Sequence, residues 1–158
     1  MVVREAVQSD IVILGRHHRM MFEEIWERKG ERLESARAEG IEQAYRQKLE
    51  TELKDGTCRA WVVEDAGEVV ASGAVTVVSF VPNPSDLSFK VGYFHSVYTE
   101  KSHRNRGCAD RILQRAMEYC RQVGARRMIL NASAAGRAIY ERAGFRAAPE
   151  MMRLVMEE

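Results

Sequence analysis

The sequence contains a short basic turn, Arg104-Asn105-Arg106-Gly107-Cys108-Ala109, between two segments of regular secondary structure. Before the turn, branched and aromatic residues from Phe89 to Thr99 predict a β-strand. After it, apolar residues recur at helical spacing from Cys108 to Val123, which predicts an amphipathic helix that ends near Gly124. The turn therefore joins a strand to a helix, and its last residues begin that helix.

The beginning of a helix presents backbone N–H groups without a partner in the helix, together with the positive end of the helix dipole. Such groups bind anions, a diphosphate among them. Gly107 lets an anion approach the backbone closely, and the small side chain of Ala109 leaves room beside it. An ordinary helix N-terminus with solvated arginines is the alternative. The segment matches neither the Walker phosphate loop nor the dinucleotide-binding glycine motif.

The remaining segments predict a mixed sheet. Strands are expected at Val2–Val7, Cys58–Glu64, Glu68–Val81 and Arg127–Asn131, with one or two more within Phe145–Met156. Helices are expected at Ile11–Trp26, Lys29–Asp55 and Ser133–Ala143, with interruptions at Gly30 and Gly40 and an end at Gly144. A run of strands followed by alternating helices and strands favours helices on both faces of the sheet.

Length and composition favour one domain. The chain has 158 residues, of which 46% are hydrophobic and 30% are charged, as in globular proteins. The 24 basic and 23 acidic residues give a formal net charge of +1. This balance argues against a polybasic membrane anchor and against a nucleic-acid-binding module, which only the arginines between residues 104 and 127 favour.

Targeting and metal-binding signals are also missing from the sequence. Its apolar stretches are far shorter than the ~20 residues of a membrane span, and Met1–Glu5 lacks the apolar core of a secretory signal. Cys58, Cys108 and Cys120 do not have metal-ligand spacing, which favours reduced thiols and no metal. We therefore expect a cytoplasmic protein with no metal, no nucleic-acid partner and no membrane partner.

A second motif follows the strand expected at residues 127–131 and reads Ile139-Tyr140-Glu141-Arg142-Ala143-Gly144-Phe145. Together the two motifs resemble the GNAT superfamily of N-acetyltransferases. Arg104-x-x-Gly107-x-Ala109 is similar to the acyl-CoA signature of that family, and the second motif is similar to its late aliphatic-Tyr-Glu-x-x-Gly-Phe element. The resemblance covers residues 93–146 in sequence and residues 2–156 in architecture.

The resemblance implies a GNAT-type α/β (α+β) fold, with a mixed, mostly antiparallel central sheet and helices on both faces, in one domain spanning residues 1–158. It implies transfer of an acetyl group from acetyl-CoA to a primary amine of a small molecule or peptide, by direct attack in a ternary complex. The alternative is a non-catalytic module that senses acyl-CoA. Tyr140 favours catalysis, because a sensor needs no proton donor.

The resemblance also implies roles for individual residues. Tyr140 is implied as the general acid for the departing thiolate, with a structural aromatic role as the alternative. The implied cofactor-binding residues are Val97, Tyr98, Asn131 and Ser133 for pantetheine, and the backbone of Arg104, Asn105, Arg106, Gly107, Cys108 and Ala109 for the pyrophosphate. Ser133 departs from the asparagine common in the family, and Cys108 replaces an aliphatic residue.

Other candidates keep two interpretations each. Phe22, Glu23 and Glu24 lie in the first helix, where the family lines its acceptor cleft, and they suit a cationic amine or form a solvated face. His95 is either a general base acting through water or a satisfied core histidine. Cys108 at a helix start has the position of an activated nucleophile, but the signature favours backbone binding there. Met151, Met152 and Met156 are expected in the core or at a homodimer interface.

Overall fold

A computed structural model describes residues 1–157 of the chain. Its strands are β1 (Val2–Glu5), β2 (Cys58–Asp65), β3 (Glu68–Ser79), β4 (Lys90–Thr99) and β5 (Arg127–Ile129). Its α-helices are α1 (Ile11–Arg28), α2 (Ser35–Asp55), α3 (Cys108–Gln122) and α4 (Arg137–Arg142), with short 3-10 helices at Gln8–Asp10 and Lys101–His103. The strands form a sheet in the order β1-β2-β3-β4-β5.

The sheet is mixed because β1 to β4 are antiparallel neighbours whereas β5 runs parallel to β4. Antiparallel strands can be joined by short turns, but a parallel pair needs a longer crossover connection. Here α3 provides the crossover between β4 and β5. The architecture confirms the predicted mixed, mostly antiparallel sheet.

Helices cover both faces of the sheet, because β2 and β3 carry buried apolar side chains on both of their faces. On one face, Leu14, Tyr45 and Leu49 of α1 and α2 share a core with Ala60, Val62 and Ala74 of the sheet. On the other, Ile112, Leu113 and Ala116 of α3 share a core with Val63, Val75 and Phe94. The alternation of side chains along each strand thus supplies two cores.

β4 has an open edge where it departs from β5. Val91–Tyr93 pair with β5, and beyond Tyr93 this edge of β4 has no partner strand within residues 1–157. On its other side, β4 shifts register against β3 opposite Ser72 and Ala74. Ser96 lies in this irregular part with a φ of 59°. The bulge and the open edge therefore occur in the same half of β4, which leads into the basic turn.

The sequence predicts interruptions of the second helix at Gly30 and Gly40, but only Gly30 lies outside the helices. Gly30 has a φ of 76° and follows the end of α1, and α2 begins at Ser35. Gly40 lies inside α2, so the interruption predicted there is wrong. A glycine inside a helix costs only about 1 kcal/mol relative to alanine, and the buried Tyr45 and Leu49 anchor the same helix to the sheet.

The strands predicted within Phe145–Met156 are wrong, since none of residues 145–157 lies in a strand. The core role of the methionines is also wrong, because Met151, Met152 and Met156 are 57%, 96% and 77% exposed. Strand propensity produces a strand only where a neighbouring edge supplies pairing and packing. The C-terminal segment pairs with none of the five strands in the sheet.

No helix within residues 1–157 is long and apolar enough to cross a membrane. In the same part of the chain, His, Cys, Asp and Glu side chains form no group of three suited to a metal ion. Cys58, Cys108 and Cys120 are free and buried.

Candidate active site

The beginning of α3 has the backbone features of an anion site. Gly107 precedes the helix with a φ of 77°, in the left-handed region that glycine tolerates. Asn105 has a positive φ as well, 61°. Within the described residues, no backbone or side-chain oxygen accepts a hydrogen bond from the N–H groups of residues 105–110. Successive unpaired N–H groups in such a turn form a concave site for an anion.

The guanidinium of Arg104 is not free to bind an anion at this turn, contrary to what the sequence motif suggests. Its Nη2 donates to Glu24 Oε1 at 2.7 Å and to Oε2 at 2.9 Å, and its Nε donates to the Thr99 carbonyl at 2.9 Å. Arg104 therefore ties the turn to α1. Arg106 is exposed and has no ion pair within residues 1–157, so it adds an unpaired positive charge at this helix start.

Tyr98 and Val97 lie in the open half of β4, with side chains in different surroundings. The Tyr98 hydroxyl donates to Glu24 at 3.0 Å, and burial, assisted by this bond, raises the pKa of Tyr98 to about 12. Val97 packs against the core beneath α3. Both residues lie beyond the last β4–β5 pair.

Asn131 and Ser133 follow β5 and line the loop that leads into α4. Asn131 Nδ2 donates to the Tyr93 hydroxyl at 2.9 Å, across the point where β4 and β5 separate. Ser133 Oγ accepts a hydrogen bond from the Gly136 N–H at 3.2 Å. This turn explains why α4 begins at Arg137 instead of at Ser133, since the serine side chain serves a turn here.

Tyr140 lies on the α3 side of β4. Its ring contacts Phe94 edge-on, with centroids 6.2 Å apart, and Phe145 with centroids 6.0 Å apart. Its hydroxyl has no hydrogen-bond partner within residues 1–157. Burial raises the pKa of Tyr140, so the hydroxyl keeps its proton at neutral pH. The ring is thus anchored by packing while the proton donor is uncommitted.

Cys108 is unsuited to act as a nucleophile. Its side chain is 2% exposed, and its Sγ lies 3.8 Å from both the His103 carbonyl oxygen and the Met1 sulfur. Burial raises the pKa of the thiol although Arg111 and Arg106 act in the opposite direction. The desolvation cost of the thiolate therefore outweighs the positive surroundings of the helix start.

The acidic residues predicted for the acceptor cleft have other partners. Glu24 is bound by Arg104 and Tyr98; burial by itself would raise its pKa, but these bonds outweigh it and hold the pKa low. Glu23 is exposed and pairs with Arg19 at 3.2 Å, one turn earlier on α1. Phe22 packs edge-on against His18 and Trp26, with centroids 5.0 and 6.0 Å away. Of the three residues predicted for the acceptor cleft, Phe22 is the apolar one.

His95 has both ring nitrogens engaged. Its Nε2 lies 2.8 Å from Thr76 Oγ1 and its Nδ1 lies 2.8 Å from Ser96 Oγ. Burial lowers the pKa of His95 to about 3, so the ring is neutral. These contacts fit the satisfied-histidine interpretation and leave no nitrogen free for a catalytic water.

His18 is a further candidate residue, to which the sequence alone assigned no role in the site. Its Nδ1 lies 2.9 Å from Ser96 Oγ, and its ring stacks on Tyr45 with centroids 4.0 Å apart. Burial lowers the pKa of His18 to about 4. The spacing of His18, Phe22 and Trp26 along one face of α1 is the signal that points to a shared cluster.

These contacts place ionisable and hydroxyl side chains on both faces of β4 near its open edge. His18, His95 and Ser96 lie on the side of α1 and α2, whereas Tyr140 packs on the side of α3 through Phe94. The free N–H groups of the basic turn follow the same strand. A strand that separates from its neighbour, followed by an anion-binding helix start, is suited to an extended ligand with a diphosphate group.

Comparisons with known proteins give the family and the fold of this chain. Residues 17–145 match the acetyltransferase (GNAT) family. A GCN5-related N-acetyltransferase from Ralstonia eutropha is 26% identical, with a TM-score of 0.85 over 98% of this chain and 97% of its own. A predicted acetyltransferase from Clostridium acetobutylicum, solved with acetyl-CoA, shares the fold at 22% identity, with a TM-score of 0.86 over 98% of this chain and 95% of its own.

The fold also extends to a more distant enzyme, glucosamine-6-phosphate N-acetyltransferase from Arabidopsis thaliana. That protein is 18% identical, with a TM-score of 0.63 over 99% of this chain and 98% of its own. A comparison with curated protein sequences finds no significant match. The family match covers most of the chain, and the chain therefore belongs to the GNAT acetyltransferase family. It is an acyltransferase.

Proposed function

We propose that the protein transfers an acetyl group from acetyl-CoA to a primary amine of a small molecule or peptide, by direct attack within a ternary complex. The observation that carries this proposal is the row of free N–H groups at residues 105–110, directly after the open half of β4. Backbone groups in this arrangement suit a ligand with a pyrophosphate and an extended amide-containing arm.

In this proposal the backbone binds most of the acetyl-CoA. N–H groups of Arg104 to Ala109 hold the pyrophosphate, with Arg106 adding a positive charge at the solvent side. Val97 and Tyr98 hydrogen-bond the pantetheine amides through their backbone, in the manner of an added strand. Asn131 and Ser133 flank the arm from the β5 side. This mode fixes the thioester mainly through backbone hydrogen bonds.

Little further chemistry is required. The amine must be neutral and aligned with the thioester carbon, and the departing thiolate needs a proton. Tyr140 supplies that proton from the α3 side, where its hydroxyl has no other partner. The thiol has a pKa near that of free cysteine, about 8.5, so modest assistance suffices. Cys108 takes no covalent part because its thiol is buried and protonated.

The test is a thiol-release assay with acetyl-CoA and four classes of amine: amino acids, polyamines, aminoglycosides and peptides. We expect CoA release that depends on one class, with an acetylated product of matching mass. Binding of acetyl-CoA, detected as a rise in melting temperature, without release by any amine would contradict the proposal in favour of a sensing role. Hydrolysis at the same rate with and without amines would also contradict it.

We also propose that the protein forms a homodimer through its C-terminal segment. Met152, Leu154 and Val155 are 96%, 81% and 78% exposed, and adjacent apolar side chains of this kind mark interaction surfaces. Light scattering is expected to give twice the chain mass, and removal of residues 150–158 is expected to give a monomer. A monomeric full-length chain at micromolar concentration would contradict this assembly.

A further inference from the structure

We propose that His18 is the general base of acetyl transfer, and that Ser96, backed by His95, holds the His18 imidazole with its Nε2 directed to the acceptor amine. This inference rests on the proposed function and extends it to the residue that removes the proton from the amine. His18 would be the catalytic residue, and Ser96 and His95 would be positioning residues.

The chain has four histidines, and their contacts single out His18. His17 is fully buried, with Nδ1 2.8 Å from Ser72 Oγ and Nε2 3.3 Å from a Glu100 oxygen. His95 is engaged at both nitrogens by Thr76 and Ser96. A substrate amine has no free nitrogen to reach on either ring.

His103 is engaged in the same way, with Nδ1 2.8 Å from Ser102 Oγ and Nε2 3.1 Å from Asp65 Oδ2. His18 uses only Nδ1, toward Ser96. Its Nε2 has no hydrogen-bond partner within residues 1–157 and is not among the fully buried, unpartnered atoms there. Among the described residues, His18 is thus the histidine with a ring nitrogen available.

The hydrogen bonds around Ser96 can select the tautomer of His18. Ser96 Oγ lies 2.9 Å from His18 Nδ1 and 2.8 Å from His95 Nδ1, but a hydroxyl has one proton to donate. When Ser96 donates to His95, it accepts from the Nδ1–H of His18, and His95 donates its Nε2–H to Thr76. His18 Nε2 then carries a lone pair. The same arrangement still fits after His18 becomes doubly protonated, because Ser96 continues to accept.

The position of Ser96 connects this network to the reaction. Ser96 has a φ of 59°, which is uncommon for a residue other than glycine, and it lies in the bulge of β4. The bulge belongs to the half of β4 whose other edge is open. Unusual backbone conformations cluster at functional sites. Here the bulge turns the serine hydroxyl toward α1, where it meets His18.

The ring of His18 is also held from its sides. It stacks on Tyr45 of α2 at 4.0 Å and meets Phe22 edge-on at 5.0 Å between centroids. These contacts and the Ser96 bond fix the imidazole in one orientation. Both of these neighbouring rings are uncharged.

The proton balance is simple. The amine nitrogen attacks the thioester carbon, the new N–C bond forms, and the C–S bond breaks. His18 Nε2 takes the proton that the positively charged nitrogen must lose, and Tyr140 protonates the departing sulfur. Water later removes the proton from His18 and restores that of Tyr140. Burial lowers the pKa of His18 to about 4, so the ring is neutral at pH 7 and its Nε2 can accept the proton that the attacking nitrogen loses.

The test is chemical rescue of His18→Ala with the amine that the wild-type enzyme acetylates. We expect kcat to fall by about 100-fold or more, with the KM for acetyl-CoA nearly unchanged. Added imidazole is expected to restore activity, whereas pyrazole, which has a similar shape but is a far weaker base, is not. Ser96→Ala is expected to lower kcat less, because it frees the ring without removing it.

The outcomes separate this inference from the proposed function. If the wild-type enzyme acetylates no amine, the proposed function fails and the inference fails with it. If the wild type is active and His18→Ala keeps its kcat, only the inference is wrong. Equal rescue by imidazole and pyrazole, or rescue by neither, also overturns it. If His18→Ala does not fold, His18→Phe keeps the stacking on Tyr45; a wild-type kcat there overturns the inference and a selective loss of kcat supports it.

Discussion

Arg104 binds the carboxylate of Glu24 through both oxygens, at 2.7 and 2.9 Å, and so fastens the basic turn to α1. The Tyr98 hydroxyl donates to the same carboxylate at 3.0 Å. This carboxylate therefore joins three parts of the site: the first helix, the open half of β4 and the turn before α3.

We expect Glu24→Gln to lower the free energy of unfolding by about 1 kcal/mol, since it weakens charge-assisted bonds that are only partly shielded from water. Glu23→Gln is the matched control, because Glu23 forms an exposed pair with Arg19 on the same helix, and its effect is expected below about 0.5 kcal/mol. Urea denaturation of the three proteins measures both values. Equal effects of the two substitutions would contradict a special role for Glu24.

The same contact has a defined pH dependence. The pKa of Glu24 in the folded protein lies below its ordinary value of 4.5. Its stabilisation is therefore fully present above about pH 4.5 and is lost as the pH falls through the lower, folded value. The stability difference between the wild type and Glu24→Gln is expected to shrink in that acidic range. A difference that grows on acidification would have the wrong sign for this contact.

Gly107→Ala tests the anion site at the start of α3. Gly107 and Gly30 have φ values of 77° and 76°, and a Cβ at either position would meet no described atom within 4 Å. Alanine should thus strain both positions similarly, by about 1–2 kcal/mol. Saturating acetyl-CoA, at ~100 times its Kd, stabilises a protein by roughly 2.7 kcal/mol. We expect this stabilisation in Gly30→Ala and its loss in Gly107→Ala, as measured by melting temperature.

The sequence predicts features formed by residues close together in the chain, but it does not predict contacts between residues far apart in the chain. The turn from Arg104 to Ala109 and the helix after it are local features, so glycine position and apolar period suffice to predict them. The contacts Arg104–Glu24 and His18–Ser96 join residues 80 and 78 positions apart. Only the folded chain brings such residues together, which is why Glu24 appears available in the sequence and His18 appears unremarkable.

In the C-terminal segment, by contrast, the sequence predicts a strand that the chain does not form. Met152, Leu154 and Val155 have the apolar character of a strand, yet they are exposed and unpaired. Local preference cannot tell whether a neighbouring edge is available to complete the strand. Gly40 is a smaller case of the same kind, because packing of the helix around it overrides its own preference.

Tyr140→Phe separates proton donation from packing. The substitution keeps the ring between Phe94 and Phe145 and removes only the hydroxyl, which has no partner in the described chain. We expect kcat to fall by roughly 10–100-fold, with little change in acetyl-CoA affinity or in melting temperature. Wild-type turnover with the chemical step rate-limiting would make Tyr140 structural. A parallel loss of stability and activity would lead to the same conclusion.

Intact-mass spectrometry tests the absence of a covalent intermediate. Incubation with acetyl-CoA and no amine is expected to leave the protein mass unchanged, because burial keeps the Cys108 thiol protonated. Cys108→Ala is expected to retain turnover for the same reason. A stoichiometric acetyl adduct on Cys108 that disappears on addition of the amine would instead establish a two-step, ping-pong route.

Tyr45 offers a stability test within the acceptor-side cluster. Its side chain is buried, and its hydroxyl has no hydrogen-bond partner within residues 1–157. An unsatisfied buried hydroxyl costs about 1–3 kcal/mol, so Tyr45→Phe is expected to raise the free energy of unfolding while keeping the ring stacked on His18.

Tyr119→Phe is the matched comparison, because the Tyr119 hydroxyl donates to the Gly56 carbonyl at 3.2 Å. Loss of this bond is expected to lower stability by about 1 kcal/mol. For a chain of this length each kcal/mol corresponds to roughly 2–4 °C in Tm, so the two variants should shift in opposite directions from the wild type in one thermal melt. A lower Tm for Tyr45→Phe would mean that the Tyr45 hydroxyl has a hydrogen-bond partner in solution. The nearby Ser96 hydroxyl would then be that partner.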